Sequence, residues 1–168
     1  MDPFWKTILW NQCGAAIDTL DNVIEACPNE LWGDRSKQPE FWYVAYHTVY
    51  FLDFYWFGTK DRFTPREGYT LSELDPSGVL PDRVYSKAEL REYLADCRTK
   101  YQTLIENMTD ESAQKLTEFW WPDMSVAELL IQTIRHLQHH AAQLNLILRR
   151  ETDAPAPWLT RPKAPLTQ

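Results

Sequence analysis

From Phe41 to Phe57 only Thr48 and Asp53 interrupt a run of apolar and aromatic residues around a single histidine, His47. A helix with no polar face belongs at the centre of its fold. Two buried strands are the competing reading, since valine and aromatic residues favour sheets. The run has no internal turn signal, however, and exceeds an ordinary strand about threefold. Gly58 supplies a stop.

Three further segments carry helical spacing. Asp2 can cap a first helix with Pro3 at its first position, and Trp5, Ile8, Leu9, Cys13, Ile17, Leu20 and Ile24 repeat in steps of three and four up to Cys27-Pro28. Asp18, Asp21, Asn22 and Glu25 lie between them, so one side of a helix over about 3–26 is expected to stay wet. Asn29 to Gln38 reads as a polar connection. Ser86 and Glu89 have the spacing of a capping box and open a helix over about 87–108, with a short turn after it from Asp110 to Leu116. Ser125 and Glu128 repeat that spacing before a helix over about 126–150, which ends on Arg149 and Arg150. The pattern predicts an all-α fold, a four-helix bundle with a long connection, Thr59 to Tyr85, between the second and third helices. That connection is longer than structureless loops usually run, which points to a lid or a crossover. The bundle is assigned to residues 1–153. A Pro-rich tail over 154–168 is either extended and packed through Trp158 and Leu159 or disordered.

Composition removes several functions. Seventeen basic residues against twenty-four acidic ones give a net charge of -7, the wrong sign for a phosphate-backbone binder, so no nucleic-acid partner is expected. No stretch is long and apolar enough to span a membrane, and the start lacks a leader pattern, so no membrane partner and a cytoplasmic location are expected. Cys13, Cys27 and Cys97 are odd in number and form no C-x-x-C pair; buried, reduced thiols are expected.

The histidines carry the most chemistry. His136, His139 and His140 form H-x-x-H-H in the last helix, and His47 is the only other histidine. Residues four apart share a helix face, so His136 and His140 can address one ion while His139 is rotated about 100° from His140. The third ligand would come across the bundle from His47. A buried histidine satisfied by a tyrosine or a carbonyl is the ordinary alternative for His47, flanked by Tyr43, Tyr46 and Tyr50. A polar helical face is the ordinary alternative for the other two. Against both, Leu129, Thr133, Leu144 and Ile147 on the His136/His140 face are mostly apolar, and unliganded imidazoles there would leave buried nitrogens unsatisfied.

The lone His47 in an aromatic helix, together with His136-Leu-Gln-His-His140-Ala-Ala-Gln-Leu144, resembles the DinB-like superfamily, whose relatives include bacterial thiol S-transferases and thiol-dependent isomerases. The resemblance covers about residues 1–150 and implies a four-helix bundle. It places a divalent ion on His47, His136 and His140 and leaves His139 without a ligand role. Where the family usually continues Arg-Gly-Gln after the last ligand, this chain has Ala141-Ala142-Gln143.

Three imidazoles suit zinc or nickel, with iron or manganese as alternatives, and leave positions open for water or substrate. The resemblance implies transfer chemistry with a small-molecule substrate, a low-molecular-weight thiol among the candidates. Metal-dependent hydrolysis is the second enzymatic reading and a metal- or ligand-binding bundle without turnover the third. A homodimer is expected from the aromatic excess of the first two helices and from family habit. No general base stands out: Glu128 lies two turns before His136, and Asp53 is about 240° around the helix from His47. Tyr43 and Tyr50, beside His47, are candidate wall residues, and Trp120-Trp121 a candidate roof. Leu137 occupies the position where a zincin has glutamate, no glutamate precedes any of these histidines by three as di-iron bundles require, and phosphate-binding or nucleophile-elbow glycine motifs are missing.

Overall fold

In the computed structural model, which describes residues 1–119 and 123–166, Asp2 opens helix α1 (Pro3–Ala26) by accepting the Phe4 N–H at 2.7 Å. One orphan amide is thereby satisfied, and Pro3 enters with its φ already helical. A single turn, α2 (Asn29–Trp32), precedes α3 (Phe41–Trp56), and α4 (Lys87–Asn107), the short α5 (Asp110–Gln114) and α6 (Val126–Thr152) follow. Gly58 takes up a φ of +68° just beyond α3, a conformation that a side chain would resist. At α4 the capping box is reciprocal: Ser86 Oγ accepts the Glu89 N–H at 3.2 Å and Glu89 accepts the Ser86 N–H at 2.8 Å. At α6 Ser125 accepts the Glu128 N–H at 3.2 Å.

The structure is all-helical, with no strand among the described residues. The four long helices form a ring in which α1 and α3 each pack against both α4 and α6. Among the described residues no helix is long and apolar enough to cross a membrane. α3 is central, as its composition demands: Trp42, Tyr46, Val49, Tyr50, Leu52 and Phe54 are fully buried. One strip departs from this. Tyr43, His47 and Phe51, four residues apart, are half-buried and face the seam with α6.

Two expectations fail for the same reason, cover arriving from far along the chain. The polar connection from Asn29 to Gln38 contains α2, whose Leu31 and Trp32 are buried, and Trp32 Nε1 donates to the Tyr85 carbonyl at 2.9 Å. The acidic side of α1 is not wet throughout: Asp18 is only 4% exposed, accepting from Arg98 Nε at 3.1 Å and from the Lys163 N–H at 2.6 Å.

Lys163 belongs to the tail, which runs back over the bundle. Asn145 holds Ala156 by two hydrogen bonds, at 2.8 and 3.0 Å, and Trp10 Nε1 donates to the Ala164 carbonyl at 3.0 Å. Trp158 is 65% exposed and holds the tail through its indole N–H, which donates to Gln138 Oε1 at 3.3 Å. Gly14 permits the approach, since a Cβ there would come 2.8 Å from Pro162 Cβ. The three cysteines are free and buried, and burial pushes the thiols of Cys13 and Cys27 up to about 12, which makes them inert.

Candidate metal centre

α3 delivers His47 from its middle, and α6, its neighbour in the ring, delivers His136 and His140 from consecutive turns. Nitrogens of all three imidazoles lie within 4.8 Å of one another, and the Nε2 atoms of His136 and His140 are 3.1 Å apart. Two nitrogens on one ion, each about 2.0–2.1 Å from it, stand roughly 3.0–3.4 Å apart, so that pair is already at ligand spacing. His47 closes the group, its ring centre 4.8 Å from that of His140 and 5.5 Å from that of His136. His139 is exposed and turned aside from the cluster.

The outer nitrogens settle which atoms face inward. His47 Nδ1 meets Glu73 Oε2 at 2.6 Å, and His140 Nδ1 meets Gln143 Oε1 at 2.7 Å. Each pairing fixes its ring and leaves Nε2 for an ion. Gln143 is the one residue of the family's usual Arg-Gly-Gln that this chain keeps, and its side chain has this use. His136 Nδ1 is buried without a partner. Burial first, then the nearby charges of His140 and His47, pushes His136 down to about 3; burial pushes His140 down to about 4, against the opposing hydrogen bond that its Nδ1–H donates to Gln143 Oε1. Both rings are therefore neutral near pH 7, the form that binds a metal.

Aromatic side chains enclose the group. Phe51 packs 4.7 Å from His47 and 5.8 Å from His136, and Tyr55 lies 5.7 Å from His136. Tyr43 flanks His47 at 6.4 Å as a wall residue, whereas Tyr50 points into the core against Phe63 and Tyr46. Burial, reinforced by the Glu73 charge, raises the phenols of Tyr43 and Tyr50 well above the ordinary value. The suggested roof, Trp120-Trp121, lies outside the described residues.

Neither carboxylate weighed as a base is at the site. Glu128 is exposed at the start of α6, and Asp53 is buried between Tyr93 Oη at 2.8 Å and Lys100 Nζ at 2.5 Å. The carboxylate that does reach the site is Glu73, in a 3-10 turn (Ser72–Leu74) of the long connection. Its side chain is 2% exposed. One acid in an aperiodic segment gives no pattern to find; the length of the connection was the sole signal.

The three converging imidazoles, the engaged outer atoms and the orphaned His136 Nδ1 fit a bound divalent cation. A family model for the DinB superfamily matches residues 12–144. The chain belongs to the DinB superfamily. The matched stretch contains all three histidines together with Glu73 and Gln143, and ends before the tail. No curated protein and no solved structure gives a match. Membership of the DinB superfamily and the three-histidine group are together compatible with metal binding.

Proposed function

We propose that this protein holds one divalent ion on His47, His136 and His140 and uses it for thiol-dependent transfer to a small electrophile. The convergence of three imidazoles from two helices on one point supports the reading. Zinc or nickel suits the donor set first, iron or manganese next; a bound ion of this kind lowers the pKa of a coordinated thiol or water toward neutrality.

The chain's own residues shape the rest. Glu73 and Gln143 hold two ligand rings in register, and Phe51 and Tyr55 keep one wall dry. His47, 28% exposed at its side chain, leaves an approach from solvent. None of the three cysteines can act as the nucleophile, because all are buried; the reacting sulfur must arrive as a small external thiol. Hydrolysis is the weaker reading, since it needs a free base and Glu73 is engaged with His47.

Protein purified without a polyhistidine tag, loaded with zinc or nickel, is mixed with cysteine and other low-molecular-weight thiols and with monobromobimane. Ion-dependent thioether formation that disappears in His140→Ala supports transfer. One equivalent of bound ion without acceleration of any thiol would leave a binding protein, and no ion at all would sink the ligand assignment.

A further inference from the structure

The imidazole of His47 is held from behind by a carboxylate that is not part of the ligand group. Glu73 Oε2 lies 2.6 Å from Nδ1, the nitrogen that faces away from an ion bound at Nε2. Elsewhere in this protein a buried carboxylate has a cationic side chain beside it: Asp18 has Arg98 and Asp53 has Lys100. Among the described residues Glu73 has His47 as its ion-pair partner and the Tyr43 phenol beside it, and its second oxygen, Oε1, is buried without a hydrogen-bond partner. A buried carboxylate with so little compensation is costly, and a dication on the far side of the same imidazole supplies the missing positive charge.

The contact also joins two parts of the molecule. Glu73 sits in the only helical turn of the 59–85 connection, and around it Tyr69 stacks on Tyr46 while Tyr46 Oη donates to the Thr70 carbonyl at 3.4 Å. The stretch 75–80 just beyond this turn is exposed, Val79 and Leu80 included. Whatever fixes His47 therefore fixes the turn, and the reverse holds by linkage.

We propose that Glu73 is a positioning residue that orients His47 Nε2 toward the ion, and that through this contact ion binding seats the 59–85 connection over the site. The proposal rests on the three-histidine reading. Glu73 is not itself a ligand; it sets the ring's tautomer and angle, and the ion's charge is what it answers.

The test uses the full chain and Co²⁺, whose visible absorption reports coordination, with Zn²⁺ in competition. Glu73→Gln keeps an acceptor for Nδ1–H but loses the charge and should bind about tenfold more weakly; Glu73→Ala loses both and should bind up to about a hundredfold more weakly, with an altered Co²⁺ spectrum. Hydrogen exchange of residues 66–80 should slow when the ion binds the wild type, and the slowing should shrink in both variants. A purely structural Glu73 would move the melting temperature of the ion-free protein while leaving affinity and spectrum unchanged, which would overturn the proposal. Unchanged exchange on ion binding in the wild type would overturn the coupling to the connection. Where Glu73→Ala fails to fold, the isosteric Glu73→Gln decides. His47→Ala separates the two readings: if it abolishes binding while both Glu73 variants bind normally, only the present proposal falls, and if the wild type takes up neither Co²⁺ nor Zn²⁺, the metal reading falls and takes this proposal with it.

Discussion

α4 and α6 hold equivalent places in the ring, each packed against both α1 and α3, yet they treat buried polar groups in opposite ways. α4 answers acids with donors: Arg98 to Asp18, Arg91 to Asp21, and Lys100 with Tyr93 to Asp53. At the α6 seam Gln132 Oε1, His136 Nδ1 and, across from them, Glu73 Oε1 are buried with no hydrogen-bond partner. Native interiors rarely leave such atoms unpaired. Three such atoms beside the histidines, where each of these acids on the α4 side has a donor, mark a place that a group from outside the chain would complete.

The largest effect expected from breaking this contrast is at the α6 seam. His140→Ala should reduce bound zinc from about one equivalent per chain to a trace, as read by elemental analysis, because two imidazoles from different helices are a poor site. On the α4 seam Asp53→Ala should instead leave the ion in place and cost about 2–3 kcal/mol in urea denaturation, from the stranded Tyr93 hydroxyl and Lys100 ammonium. Equal loss of metal in both variants would abolish the distinction between the seams.

A smaller, pH-dependent difference should separate them as well. The folded-state values of His136 and His140, about 3 and about 4, lie below the 6.5 of a free imidazole, so the unfolded chain takes up protons first. Stability of the ion-free protein is therefore full above about pH 6.5 and declines as pH falls toward 4 and then 3. Between pH 6.5 and 5, above the carboxylate range, the slope of denaturation free energy against pH should flatten in His136→Gln. A slope identical to wild type would refute the burial of that ring.

Much of this was legible in the sequence where local chemistry decides. Asp2-Pro3, Ser86 with Glu89, and Gly58 mark helix ends because capping and left-handed turns are satisfied within a few residues. The meeting of the three imidazoles was legible because i, i+4 spacing pairs two of them and His47 is the one histidine outside the last helix. What stayed hidden depends on partners distant in the chain. The burial of Asp18 needs Arg98 and Lys163, that of Trp32 needs the Tyr85 carbonyl, and Glu73 reaches His47 from a segment without period.

The smallest effect concerns the tail. Gly14→Ala gains about 1 kcal/mol of helix propensity but sets a methyl 2.8 Å from Pro162 Cβ. The tail should shift and protease sensitivity after Ala156 should rise, with little net change in melting temperature. An unaltered cleavage pattern would show that Pro162 can move aside freely.

His47 and the His136/His140 pair lie on either side of about 90 residues of intervening chain, which include the whole of α4. An ion shared between them would work as a reversible cross-link, closing a loop whose closure entropy would be of the order of that removed by a long-range disulfide. It would be a staple that a chelator can undo. It also cannot be set during synthesis until α6 has been made, so metal capture would report on completion of the bundle.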